Sequence, residues 1–178
     1  MRKIPTLYLR DENDRRHVTR QINPEAAWVL DGHAVATRKF DGTCTMLDDA
    51  GRWWARREVK PGKPFPPGYV AEETDPNTGK TVGWEPIEQS PFVKAFRTIE
   101  EAPTAPGTYE LCGPKINGNP ESLGRHLLIQ HGVEVLHEVP VDFDKLAIYL
   151  TERATMEGVV WHGPDGRMAK IKSRDFPR

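Results

Sequence analysis

Short apolar or β-branched runs recur along the chain, each closed by Gly, Pro, Asp or Asn. They stand at TLYL (6–9), AWVL (27–30), AVATRKF (34–40), TCTML (43–47), RWWARREV (52–59), TYELCG (108–113), HLLIQH (126–131), EGVVWH (157–162) and MAKIKS (168–173). Runs of this length between turn formers read as strands, and their short connections predict antiparallel sheets. Two segments carry helical spacing instead. In SPFVKAFRTIEEA (90–102), Ser90 is the predicted N-cap, Pro91 takes the first helical position, and Phe92, Val93, Phe96 and Ile99 form the apolar side. In DFDKLAIYLTERA (142–154), Leu146, Tyr149 and Leu150 share one face. The pattern as a whole predicts an α+β fold of antiparallel β-sheets with flanking helices. Residues 60–89 are rich in Pro and Gly without clear periodicity and are predicted to form an irregular surface insertion.

Composition narrows the class. With 178 residues, 37% of them hydrophobic, residues 1–178 are expected to form a single domain with a real core. Two cysteines, Cys44 and Cys112, cannot build a disulfide scaffold, and no zinc-ligand spacing links them to the histidines. A reducing, cytoplasmic setting is expected. The amino terminus lacks the apolar core of a signal peptide and no apolar run approaches bilayer length, so no membrane partner is expected. A net charge of −1 argues against a protein that coats nucleic acid nonspecifically. Basic residues nevertheless gather in GRWWARREVKPGK (51–63) and GRMAKIKSRDFPR (166–178), so a local basic surface is compatible with the neutral total.

Lys39 is the first candidate for chemistry. In an extended ATRKFDG, Thr37, Lys39 and Asp41 point to one face and Arg38 and Phe40 to the other, so the ammonium shares its side with a carboxylate. Gly42 then permits a turn or a close backbone approach. A nucleophilic lysine must lose its proton, which nearby cations or desolvation favour and a carboxylate opposes. A second cluster lies in MAKIKS, where a period of two puts Lys170 and Lys172 on one face and Ala169 and Ile171 on the other. The turn GPDG (163–166) folds this strand back on EGVVW, bringing Glu157 beside the lysines. Glu110 and Glu157 each sit in an apolar strand context, where a carboxylate needs a cation or hydrogen-bond donors. Arg56 and Arg57 cannot both face one ligand, because they alternate along their strand.

These residues carry a resemblance. KFDG (39–42) resembles the nucleotidyl-lysine motif of the covalent nucleotidyltransferases, which include ATP-dependent DNA ligases, RNA ligases and mRNA capping enzymes. WAR (54–56), YELCG (109–113), EGVVW (157–161) and KIK (170–172) resemble the later motifs of that superfamily, in order. KFDGTC, WWARREVKPGK, GWEPIE, ELCGPKINGNPESLG, HLLIQHG and EGVVWHGPDGRMAKIK are most similar to small 5′-to-3′ RNA ligases of the vertebrate type, whereas the first 35 residues carry no matching signature.

The resemblance implies a nucleotidyltransferase (adenylation) domain with no OB or separate carboxyl-terminal domain. It implies an ATP-dependent RNA ligase that joins 5′-phosphate and 3′-hydroxyl ends through a lysine-AMP intermediate and a 5′-adenylylated RNA, using Mg²⁺ or Mn²⁺. Lys39, Glu157, Lys170 and Lys172 are its implied catalytic residues. Nucleotide contacts are implied for Thr37, Arg38, Asp41, Gly42, Arg56 with Arg57 as second choice, Glu110, Lys170 and Lys172. His126 and Ile129 both stand as candidates to cover the adenine. Metal contacts are implied for Glu157 and Glu110. The expected partners are RNA ends, with no obligate protein partner. The alternatives are a self-adenylylating enzyme acting on DNA ends or another acceptor, and an inactive module that binds nucleic-acid ends.

Overall fold

The computed structural model describes residues 2–177. Strands β1 (Tyr8–Arg10) and β2 (Val18–Ile22) are followed by a 3-10 helix, Pro24–Asp31, and by β3 (Val35–Lys39), β4 (Thr43–Leu47), β5 (Trp53–Val59), β6 (Val70–Thr74) and β7 (Thr81–Pro86). A short 3-10 turn, Ile87–Gln89, leads to α1 (Val93–Phe96), β8 (Gly107–Cys112), β9 (Leu127–Gln130), α2 (Phe143–Thr151), β10 (Gly158–His162) and β11 (Met168–Lys172), with a last 3-10 turn at Ser173–Asp175. The described residues form two compact units, one built on a six-stranded sheet and the other on a three-stranded sheet and a two-stranded one. Every pairing between named strands is antiparallel, as the short connections predict. No helix among the described residues is long and apolar enough to cross a membrane.

One unit comprises Asp41–His131 with the stretch ending at Lys3. Its six strands run in the order β6-β7-β5-β4-β8-β9. Tyr109, Leu111, Thr45, Leu47 and Ala55 are buried on one face, and Trp53 packs there against Phe96 and Tyr109, ring centroids 5.2 and 5.4 Å away. The register pairs Cys44 with Glu110, Glu110 with Ile129 and Met46 with Trp54, so these residues and Arg56 occupy the opposite face.

The other unit comprises Ile4–Phe40 and Gly132–Arg178. It holds a three-stranded sheet of order β11-β10-β3 and a two-stranded sheet, β1-β2. Ala36, Val159, Trp161, Ala169 and Ile171 alternate onto one face and join a buried cluster with Leu7, Tyr8, Trp28, Leu146 and Leu150. The unmatched amino-terminal residues are built into this unit: Leu7 donates its N–H to the Lys170 carbonyl (2.8 Å), and the Lys170 N–H donates to the Pro5 carbonyl (2.9 Å).

Several local expectations need correction. AWVL (27–30) is helical rather than extended, because Asn23 caps the Glu25 N–H, Pro24 opens the helix and Gly32 closes it at φ 78°. The helix expected across 90–102 shrinks to the single turn α1; Ser90 accepts the Phe92 N–H, but Phe92 holds the cap position and Ile99 lies beyond the helix. The expected irregular stretch 60–89 contains β6 and β7. There β7 is an inner strand with Trp84 and Glu85 1% and 2% exposed, and Glu85 is matched by Arg57 at 3.0 Å. Helix α2 forms as predicted, capped by Asp142 and burying Leu146 and Leu150.

Candidate functional site

Strand alternation assembles the first half of the site. Gly158 in the central strand β10 pairs with Lys39 on one side and Lys172 on the other, and Val160 pairs with Thr37 and Lys170. Thr37, Lys39, Lys170 and Lys172 therefore share the sheet face opposite the apolar core, as their spacing predicts. Glu157, immediately before β10, reaches both outer strands. Its Oε2 is 2.5 Å from Lys39 Nζ, its Oε1 is 2.6 Å from Lys172 Nζ, and Arg174 stands 3.7 Å from Oε1. Gly158 makes this possible: a Cβ there would lie 2.0 Å from the Ile171 carbonyl oxygen and 2.8 Å from Lys172 Cα.

The Glu157 side chain is 7% exposed. Burial pushes its carboxyl up, but the Lys39 charge and the hydrogen bonds from Lys172 and Lys39 outweigh that effect and hold it below the ordinary carboxylate range. Lys39 and Lys172 thus share one buried counter-ion. The site is cationic on balance, suited to anionic phosphates, and it has a carboxylate within proton-transfer distance of the candidate nucleophile.

Two other expected residues of this unit are occupied in local structure. The Thr37 hydroxyl lies 2.9 Å from His162 Nε2 and 3.3 Å from the Val160 carbonyl, and the residue is 3% exposed. Arg38 lies over the Phe40 ring and reaches Glu134 at 3.5 Å, on the face away from Lys39.

In the six-stranded unit, Glu110, Ile129 and Arg56 share the face opposite the core, whereas Arg57 is on the core face, bonded to Glu85. Alternation alone leaves the two arginines equivalent; the buried Glu85 distinguishes them. The register also separates His126 from Ile129. Ile129 is paired with Glu110, while His126 ties the chain together, with Nε2 2.6 Å from the Pro114 carbonyl and Nδ1 2.7 Å from Thr98 Oγ1. Glu110 accepts the Gly42 N–H at 3.1 Å and lies 2.7 Å from His131 Nε2; His131 Nδ1 in turn meets Thr108 Oγ1 at 2.9 Å. The spacing of His131 from Glu110 along the chain gives no hint of this contact.

The loop 113–123 supplies a second set that sequence reasoning missed. Asn117 donates to Asp41 Oδ1 (3.1 Å) and to the Gly42 carbonyl (2.7 Å), and Glu121 accepts the Asp41 N–H (2.8 Å). Lys115, Asn117, Asn119 and Ser122 all have positive φ, between 49° and 67°. Four non-glycine residues in that region within one short loop store conformational strain, a feature that concentrates at functional sites. Gly42 fits tightly as well, since a Cβ would lie 2.3 Å from the Leu111 carbonyl oxygen.

The expected metal ligands do not make a cation site by themselves. Both Glu157 oxygens face lysines, both Glu110 oxygens are engaged by Gly42 and His131, and no three His, Cys, Asp or Glu side chains among the described residues converge on one point.

Comparison with known proteins adds a relationship. A family model described as RNA ligase 1 matches residues 97–176, a stretch that holds Glu110, Glu157, Lys170 and Lys172 but not Lys39. RNA ligase 1 of Danio rerio is 39% identical over 72 residues, covering 36% of this chain and 22% of that protein. RNA ligase 1 of Mus musculus is 26% identical over 214 aligned positions, covering 78% of this chain and 65% of that protein; the Rattus norvegicus protein is 27% identical with 78% and 66% covered. The chain thus matches less than two thirds of the length of these relatives. It is related in sequence to the vertebrate RNA ligase 1 proteins.

Proposed function

We propose that the chain is an ATP-dependent RNA ligase that charges Lys39 with AMP and uses it to join a 5′-phosphate to a 3′-hydroxyl. The observation that carries this reading is the Lys39–Glu157–Lys172 cluster over Gly158, with Lys170 on the same face. The two further lysines suit the cluster to a phosphate, and the carboxylate beside Lys39 is placed to take its proton.

In the proposed reaction, Lys39 Nζ bonds to the α-phosphorus of ATP as the bond to the β-phosphate oxygen breaks and pyrophosphate leaves. The amine must shed a proton, and Glu157 is the acceptor within reach. Phosphate oxygens compete with Glu157 for Lys172, and losing that cation makes the carboxylate a better base. Lys170 and Lys172 balance the charge that develops on the phosphate. The AMP then passes to the RNA 5′-phosphate, freeing Lys39, and attack by the 3′-hydroxyl joins the ends and releases AMP. Arg56 and Glu110 are assigned to the nucleotide by resemblance, which offers both His126 and Ile129 for the adenine; the common sheet face of Arg56, Glu110 and Ile129 supports Ile129 in that role. A divalent cation belongs to the proposal through the resemblance, and no step above is routed through it.

Incubation with radiolabelled ATP and magnesium, followed by denaturing electrophoresis, tests the reading. A covalent label on the protein that moves to 5′-phosphorylated RNA and disappears on sealing is the expected result. Absence of any label leaves only a module that binds nucleic-acid ends, and transfer to DNA in preference to RNA changes the acceptor.

A further inference from the structure

The unit that holds Lys39 contains a basin of about 670 Å³, much larger than a single phosphate needs. Arg10, Arg15, Arg16, Lys170, Lys172 and Arg174 line it, and Asp175 is the one carboxylate among the described lining residues. Asp175 is 3% exposed and already committed, to Arg10 at 2.9 Å and to the Lys172 N–H at 2.9 Å. Three of the six cations come from the β1–β2 hairpin, Arg10 at the end of β1 and Arg15 and Arg16 in its loop, inside the amino-terminal stretch that matches no signature. They reach Lys170 because the segment before β1 is bonded to β11.

That loop is rigidly made. Asp11 accepts the N–H groups of Asn13 and Asp14, the Asp11 N–H donates to the His17 carbonyl, and Asp14 accepts the Arg16 N–H. Asp14 also holds the Arg16 guanidinium at 2.8 Å and the His17 ring at 2.9 Å, so Arg16 is pre-oriented while its side chain stays 85% exposed. Arg15 is exposed beside it, and the Arg174 side chain is 69% exposed. Highly exposed guanidinium groups on a fixed loop suit a polyanion that passes along the surface, where each phosphate contact releases a condensed counter-ion.

We propose that Arg15 and Arg16 of this hairpin, with Arg174, bind the phosphodiester backbone of a single-stranded RNA and lead its end to Lys170 and Lys172. That the strand is RNA rests on the ligase reading; the anion-binding role of the hairpin does not. The spread of the cations and the basin's volume favour a strand over the β- and γ-phosphates of a nucleotide, which share the same chemistry.

The test is fluorescence anisotropy with the full chain and a 3′-labelled, 5′-phosphorylated single-stranded RNA, without ATP, across a salt series. Arg15→Glu with Arg16→Glu is compared with wild type, with Arg15→Lys and Arg16→Lys, and with the charge-matched pair Lys94→Glu and Arg97→Glu on exposed positions of the other unit. Circular dichroism checks that each folds. The hairpin reversal should weaken binding roughly tenfold or more and lower the slope of log K against log salt by about 1.4, near 0.7 for each lost single-strand phosphate contact. The lysine pair should keep most of the affinity. An unchanged slope, or an equal loss in the charge-matched control, overturns the proposal. So does a rise in the ATP concentration needed for self-labelling with RNA affinity intact, which would place nucleotide phosphates in the basin. A chain that binds RNA through the hairpin yet never labels itself defeats the ligase reading alone; self-labelling with hairpin-independent RNA binding defeats this proposal alone.

Discussion

Lys39 and Glu157 form an ion pair at 2.5 Å, and the second oxygen of the same carboxylate is bound by Lys172. The candidate nucleophile is therefore held by a group that both fixes its position and can take its proton. It also shares that group with a cation that a phosphate can draw away. Substitutions at these positions separate the proposed chemistry from the architecture that supports it.

Lys39→Ala is expected to abolish covalent labelling by ATP while leaving circular dichroism unchanged, since Lys172 still neutralises Glu157. Lys39→Arg should restore the charge pairing and not the label, because a guanidinium stays protonated and is a poor nucleophile. Labelling of either variant at the wild-type level would remove Lys39 from the proposed reaction.

Glu157→Gln removes the shared counter-ion and leaves two ammonium groups without it. Breaking a fully buried pair costs about 3–5 kcal/mol; Lys39 and Lys172 side chains remain 19% exposed, so a loss of about 2 kcal/mol is expected after discounting for screening. The sign of the pH effect follows from the lowered Glu157 pKa. Its contribution is fully present above the ordinary carboxylate range and disappears as pH falls through the depressed folded value. Thermal melts of wild type and Glu157→Gln should therefore differ at neutral pH and converge in acid. A gap that widens on acidification contradicts the assignment.

Much of this cluster was legible in the sequence. The alternation in MAKIK put Lys170 and Lys172 on one face, and the register with β10 bears that out. Side-chain partners fixed by long-range pairing were not legible. Alternation puts Arg56 and Arg57 on opposite faces without saying which face is which; β7 decides it by bringing the buried Glu85 beside Arg57, and β7 itself lies in a Pro- and Gly-rich stretch whose strand character depends on its neighbours. In contrast, Asn23, Pro24 and Gly32 mark AWVL as helical against the strand-like look of its apolar run.

Gly158→Ala tests whether the cluster depends on the close approach of β10 to β11. The added Cβ meets backbone, not a movable side-chain tip, so the strands must separate. A loss of about 2 kcal/mol or more is expected, together with reduced labelling as Lys172 is displaced. A variant with wild-type melting temperature and wild-type labelling would show that the tight pairing is not required.

Asn117→Gly keeps the positive φ at that position and removes only the two side-chain bonds to Asp41 and Gly42. With the residue exposed, the expected stability loss is about 1 kcal/mol. Amide hydrogen exchange should quicken at Asp41 and Gly42, whose N–H groups are held by Glu121 and Glu110 in the turn that Asn117 braces. Asn117→Ala adds the cost of an alanine at φ 49° and should be the less stable of the two. If exchange at these two amides is unaltered in both variants, the loop does not order the turn after Lys39.

Salt should divide the two halves of the proposed reaction. Self-labelling draws on Lys39 and Lys172, whose side chains are 19% exposed and paired with a nearly buried carboxylate, where bulk ions screen weakly. RNA engagement draws on Arg16 and Arg174, whose side chains are 85% and 69% exposed and whose phosphate contacts are weakened by counter-ions in proportion to their number. Raising the salt concentration in a labelling and sealing assay should therefore suppress end joining first and allow the lysine-AMP form to accumulate. Arg174→Ala should reproduce part of that accumulation at low salt. A parallel decline of labelling and sealing across the series, with no surviving lysine-AMP, would mean that RNA and nucleotide depend on the same cations.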